Sequence, residues 1–487
     1  MTTTQIDAFA PATEMLQELR SRRVSAVDLL DLHLQRIARF NPALNAIVSP
    51  DFENAHSAAV AADAARLRGE DGALLGLPLT IKDCIDVAGL PSTAGMPDRA
   101  AHRAEADSVL TGRVRAAGAV IMAKTNIPPM AGDWQANNPV FGRTNNPWDL
   151  ARTPGGSTGG GAAALAAGLT PLEFGSDIGG SIRVPAAFCG VFGHRPSETA
   201  LARSGHYPGS PLPNWATAMG VQGPLARSAE DLELAFDVVS GPEIGEDVAW
   251  RLAILPARHA HLAGFRVAVL PRIPWVPLDN EIAAAQQQLA DALAAAGATV
   301  KEAVPAEFGD LRGHYKTYLS LLAVMISGEM PEEMRAHAAE GLRASGDEFA
   351  SAQAEGFGAS AQQYLHWHGE RERFRAAYRA FFRDWDVLLA PITMTPPFPH
   401  VDPDVPFGQR TTIVNGKSEP YMMNVFYPSL TTLCGQPATA FPVGLTKGGL
   451  PIGLQAIGPY LEDRTPLRFA ALVAREFGGF QRPPGYE

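Results

Sequence analysis

Residues 153–196, TPGGSTGGGAAALAAGLTPLEFGSDIGGSIRVPAAFCGVFGHRP, constrain this chain more than any other stretch. Two serines stand among glycines, Ser157 in GGSTGGG and Ser181 in DIGGSIR, and a helix of small residues with a short apolar segment joins them. Positions without a Cβ let other backbone come close, so a hydroxyl set there is open to a reacting atom. The amides beside it can converge on one point. That is the layout of a nucleophile next to an oxyanion hole. A solvated Gly/Ser linker would lack the Ala/Leu helix and the apolar run SIRVPAAF that follow.

Around this stretch, strand and helix patterns alternate. Ser25 to Asp28 forms a capping box, and Val27, Leu30, Leu34 and Ile37 follow at helical spacing. Residues 44–48 read as a strand, 52–68 as an Ala-rich helix, and 77–81 and 120–123 as buried strands. Residues 125–153 are irregular and rich in Asn, Pro and Trp, as site-lining loops are. Segments 265–270, 281–296 and 298–303 predict one more β-α-β unit, 311–384 is mostly helical, and 386–390 is a buried strand. The expected class is α/β with a layered sheet. At 487 residues this is several domains or one large unit with an insertion.

Composition removes several function classes. A net charge of −11 argues against a nucleic-acid groove or an anionic membrane surface as the main partner. Cys84, Cys189 and Cys434 lie far apart, with no metal-ligand spacing, so neither a disulfide framework nor a zinc site is expected. The first residues lack a basic n-region and an apolar h-region, and no run of about 18 apolar residues occurs. The expectation is a soluble cytoplasmic protein with no metal and no cofactor.

A serine nucleophile needs a base. None of the twelve histidines stands in a setting that suggests a Ser-His-Asp triad; His194, closest in sequence, reads as a packing residue. Lysine is the other option, provided burial lowers its pKa enough to populate the neutral amine. Only six of the 40 basic residues are lysines, and two of them, Lys82 and Lys124, end apolar strand-like runs. Context alone does not choose between them, and either could simply hydrogen-bond strand-end carbonyls. GGSTG at 155–159 also matches the G-x-S-x-G elbow of α/β-hydrolases, but the preceding NNPWDLARTP is no strand.

GGSTGG followed by GSDIGGSIRVPAAFCGVFG resembles the signature of the amidase signature family of serine hydrolases. SAVDLLDLHLQRI, LLGLPLTIKD, AKTN, NNPWDL, GPLARSAEDLELAFDVVSGP, DVLLAP and LPIGLQAIGP extend the resemblance over nearly the whole chain outside about 245–380. It implies a single large mixed β-sheet flanked by helices on both faces, with a helical insertion. Residues 1–487 would be one domain, and 245–380 a more variable, largely helical region covering the substrate. It also implies a Ser-Ser-Lys triad of Lys82, Ser157 and Ser181, with Ser181 the nucleophile, Ser157 the bridge after a cis peptide, and Lys124 structural. Ile178, Gly179, Gly180 and Ser181 would supply oxyanion N–H groups, and Asp177 and Arg183 would brace the loop.

Departures from the pattern shape the substrate expectation. Val184 stands where amidotransferase subunits usually carry Gln, Thr158 replaces a second serine, and Pro129 replaces a frequent acid. Met130, Trp134, Tyr207, Trp215, Met422, Phe426 and Tyr427 are the candidates for an apolar pocket. The expected activity is hydrolysis of a hydrophobic or aryl carboxamide, with esters and carbamates as close variants. The alternatives are the amidase subunit of a glutamine-dependent amidotransferase and an α/β-hydrolase-type esterase. The expected partner is a small molecule, with no nucleic acid or membrane, and a homodimer is the assembly allowed.

Overall fold

Eleven strands drawn from most of the chain's length pair into one sheet in the computed structural model, which describes residues 6–210, 212, 218–328 and 330–487. They are β1 (Ile47–Pro50), β2 (Pro78–Lys82), β3 (Val120–Thr125), β4 (Leu172–Asp177), β5 (Phe192–Arg195), β6 (Val221–Ala226), β7 (Arg266–Val269), β8 (Thr299–Glu302), β9 (Val387–Pro391), β10 (Ala438–Leu445) and β11 (Pro451–Ile457). Their spatial order is β1-β3-β2-β4-β6-β5-β10-β11-β9-β7-β8. β2 runs parallel to β3 and to β4, and β7 runs parallel to β8 and β9. The middle of the sheet, from β4 to β9, is antiparallel.

Chain connections explain the mixture. Parallel neighbours need a crossover, and the helices Val109–Ala116 and Asn280–Ala295 supply those between β2 and β3 and between β7 and β8. β10 and β11 are joined by a tight hairpin and so run antiparallel. Every residue of β2, β3, β4 and β6 is buried. Side chains alternate between faces along a strand, so helices must cover both sides there. The fold is α/β.

The small-residue helix is Gly159–Ala166, and all of it is buried. Its glycines answer to close approach. A Cβ on Gly160 would fall 2.3 Å from Asn126 N, and one on Gly161 would fall 2.5 Å from the Glu173 carboxyl carbon. The helix therefore lies almost against β4 and the end of β3, which brings Ser157 beside the sheet.

Residues 245–380 contribute β7 and β8 to the same sheet before turning helical at Arg312–Ile326, Glu332–Ala344, Glu348–Phe357 and Ala361–Asp384. The strand expected at 44–48 begins later, at Ile47. The preceding helix runs through Leu44 and is ended by Asn45 in the left-handed region (φ 52°), which an Asn tolerates better than most residues. No helix among the described residues is long and apolar enough to cross a membrane.

Candidate active site

Lys82 is the last residue of β2 and is fully buried. Its Nζ lies 2.6 Å from Ser157 Oγ and 3.0 Å from Ser176 Oγ. Burial lowers its pKa below the ordinary lysine value, against the pull of Cys84, Asp177, Glu173 and Asp83. Burial pushes the Glu173 pKa up to about 7, which weakens its pull on the lysine below that pH, even though Thr125 and Thr80 donate to its two oxygens at 2.6 and 2.5 Å. Burial of this kind favours the neutral amine over the ammonium. Lys124 is equally buried, but its Nζ donates to the carbonyls of Asp83 and Pro91 at 2.5 and 2.8 Å. It staples the segment after Lys82 and touches neither serine.

Ser157 follows a cis Gly156–Ser157 peptide and sits two residues before the helix Gly159–Ala166. Ser181 lies in the turn between β4 and the helix Arg183–Cys189. The Thr158 N–H donates to the Ser181 carbonyl at 3.1 Å, which ties the two serine loops together through backbone. Both serines line one cavity.

The turn 177–182 is held by one carboxylate. Asp177 accepts from the Gly180 and Ile182 N–H groups at 3.0 and 3.2 Å and pairs with Arg183 through two contacts of 3.0 and 2.9 Å. Burial alone would raise its pKa, but the Arg183 guanidinium and these hydrogen bonds outweigh it and hold the carboxyl well below the usual range. The Gly180 N–H, one of the four expected oxyanion donors, donates to Asp177. The N–H groups of Ile178, Gly179 and Ser181 have no acceptor among the described residues. Two aromatic side chains pin the peptides between them: Tyr318 Oη donates to the Ile178 carbonyl and Trp134 Nε1 to the Gly179 carbonyl, each at 3.0 Å.

The Amidase family model matches residues 28–467. The chain belongs to the amidase family. This amidase is 33% identical to an indoleacetamide hydrolase of Bradyrhizobium diazoefficiens, over 93% of its own length and 84% of the relative's. It is 30% identical to a glutamyl-tRNA(Gln) amidotransferase subunit of Acidothermus cellulolyticus, over 95% and 93% of the two chains. Among solved structures it is similar to 6-aminohexanoate cyclic dimer hydrolase, with a TM-score of 0.78, 27% identity and 99% of each chain covered. The chain is an enzyme of the amide-hydrolysing class.

The cavity of this amidase measures about 960 Å³. Met130, Trp134 and Met422 line it, with Val425 beside them. Leu322, Met325 and Phe357 extend the apolar wall from the helices Arg312–Ile326 and Glu348–Phe357. Other expected pocket residues lie elsewhere. Phe426 and Tyr427 belong to the helix Phe426–Thr432, buried on every side, where Phe426 packs edge-on against Trp275 and Tyr315. Tyr207 lies outside the cavity wall, with the Arg99 guanidinium 3.8 Å over its ring. Trp215 lies outside the described residues.

His194 is bound to Thr439 and Asp463, away from the serines, and no strand leads into Ser157, so the α/β-hydrolase elbow is not built here. Sequence reasoning missed Ser176, His206 and Tyr318. Ser176 stands one residue before Asp177 on β4, and its hydroxyl faces both Lys82 and His206. The strand's period of two, applied to GSDIGGS, would have placed it on the face opposite Asp177.

Proposed function

We propose that this amidase hydrolyses a hydrophobic or aryl carboxamide through an acyl-enzyme on Ser181, with esters and carbamates as further substrates of the same site. The observation that carries the reading is the buried Lys82 amine, 2.6 Å from Ser157 Oγ, beside a cavity that Ser181 shares. In the first half-reaction Ser181 Oγ bonds to the substrate carbonyl carbon. The Ser181 proton passes to Ser157 as the Ser157 proton passes to neutral Lys82. The N–H groups of Ile178, Gly179 and Ser181 receive the oxyanion; a donor of this kind is worth on the order of 10²–10³ in rate. The lysine proton returns through Ser157 to the leaving nitrogen, the C–N bond breaks, and the amine departs. Water then repeats the sequence on the acyl-enzyme, with Lys82 as base again.

The cavity walls support an apolar substrate: Met130, Trp134 and Met422 near the serines, and Leu322, Met325 and Phe357 further along. The volume of about 960 Å³ suits a substrate much larger than a simple aliphatic amide. The indoleacetamide hydrolase relative, by its name an aryl-acetamide enzyme, points the same way. A cytoplasmic location belongs to this reading, supported by three buried, unpaired cysteines.

Labelling with a fluorophosphonate and mapping the adduct tests the assignment. Ser181 is the expected site, and an adduct on Ser157 would overturn it. Lys82→Ala should lose more than about 10³-fold in kcat and the alkaline rise in kcat/KM that tracks the neutral amine. A second reading, a component of a glutamine-dependent amidotransferase, is favoured by the relatives of that name. It predicts glutamine hydrolysis only with a second chain. Native mass of the purified chain with glutamine assays separates the two and reads whether the chain forms a homodimer.

A further inference from the structure

His206 is brought to the lysine by backbone pairing. The segment around it runs antiparallel to the residues just after Lys82: Asp86 N–H donates to the Gly205 carbonyl at 2.8 Å and Tyr207 N–H to the Cys84 carbonyl at 2.9 Å. The half-buried imidazole then meets three polar neighbours. Nδ1 lies 2.9 Å from the Pro208 carbonyl, and Nε2 lies 2.8 Å from Ser176 Oγ and 3.3 Å from Cys84 Sγ.

These contacts set the direction of each hydrogen bond. A carbonyl only accepts, so Nδ1 carries a proton. In the neutral ring Nε2 is then bare and must accept. Ser176 has one proton, and it goes to Nε2. Its oxygen is left to accept an N–H from Lys82 at 3.0 Å. A neutral amine has two N–H groups and one lone pair. With an N–H given to Ser176, the lone pair is free to face Ser157 Oγ at 2.6 Å.

We propose that His206 is a positioning residue of the reaction, acting through Ser176 to turn the lone pair of Lys82 towards Ser157. The inference rests on the reading of Lys82 as the base. Without an acceptor at the Nε2 position, the Ser176 proton turns to the amine, the other basic atom in its reach. The lone pair is then occupied by Ser176 and cannot take the Ser157 proton. His206 itself exchanges no proton with substrate. Burial lowers the ring's pKa, as does Lys82, while Cys84, whose thiol is a weak donor and also faces Nε2 at 3.3 Å, raises it.

The function requires a side chain that donates at one end and accepts at the other, and a glutamine amide can do both. Kinetics would be measured on the alkaline plateau, where imidazole and amine are unprotonated. His206→Ala should lower kcat about 10–100-fold with KM held within about twofold, because the lost interaction concerns proton transfer rather than substrate binding. His206→Gln should recover most of that loss. In a Ser176→Ala background, where no hydroxyl competes for the lone pair, adding His206→Ala should cost nothing further. A purely structural histidine would give the same loss in both backgrounds, no rescue by Gln, or a loss carried by KM, and each of these results overturns the proposal. If Ser176→Ala does not fold, the Gln-against-Ala comparison decides alone. An active Lys82→Ala would instead refute the base assignment, whereas an inactive one with additive His206 and Ser176 costs would refute only this inference.

Discussion

Tyr318→Phe removes one buried oxygen and tests how the proposed oxyanion donors are aimed. Tyr318 is fully buried, and its hydroxyl donates to the Ile178 carbonyl at 3.0 Å. Across a planar trans peptide the carbonyl of one residue and the N–H of the next point in opposite directions. Holding the Ile178 carbonyl therefore fixes the direction of the Gly179 N–H. The variant leaves that carbonyl unpaired, which should cost about 1–3 kcal/mol of stability. Deleting an oxyanion donor outright costs on the order of 10²–10³ in kcat. Releasing one that remains present should forfeit part of this, on the order of tenfold or about 1.4 kcal/mol. KM should hold, because the donor is used by the developing oxyanion and not by the ground-state carbonyl. Tyr378→Phe is the matched control: its hydroxyl is equally buried and donates to the Leu430 carbonyl at 3.0 Å, away from the serine loops. Denaturant midpoints should fall together in the two variants, while kcat falls only in Tyr318→Phe. Equal kcat losses, no loss in either, or a loss appearing in KM would refute the reasoning.

Two further outcomes follow from the packing around β4. Glu173 has a folded-state pKa raised to about 7, so between the ordinary glutamate value and that point the folded chain holds a proton the unfolded chain has lost. Stability should therefore fall by about 3 kcal/mol as pH rises through this window, and Glu173→Gln should flatten the curve; urea titrations at several pH values read it. Gly161→Ala puts a methyl 2.5 Å from the Glu173 carboxyl and should cost about 1–3 kcal/mol by overpacking, seen as a lower urea midpoint with an unchanged m-value.

Local pattern carried the elements whose burial is continuous. The runs ending at Lys82 and Lys124 are apolar on both faces, and each became a strand buried throughout. Lys82 was separable from Lys124 only by resemblance, because what distinguishes them is which atoms their amines meet, Ser157 and Ser176 against two carbonyls. Ser176, His206 and Tyr318 escaped notice for the same reason: their partners lie 30 or more residues away, and no spacing encodes such meetings. Aromatic identity was a poor guide to the cavity wall. Trp134 and Phe426 are both buried, yet one lines the cavity and the other packs in the core, a choice made by tertiary packing. That Asp177 accepts from the Gly180 amide was not legible, because the sequence marks Asp177 only as a general brace.

The helix Arg312–Ile326 contributes Leu322 and Met325 to the space a substrate would fill and, one turn earlier, the Tyr318 phenol. In the proposed mechanism selectivity and reactivity are therefore mechanically linked along a single rod. Evolution or an engineer reshaping the guest's berth by sliding or rotating this rod would also mis-aim a backbone dipole at the reacting carbonyl. Swaps confined to the later turns, leaving the phenol seated, are the changes that leave turnover intact.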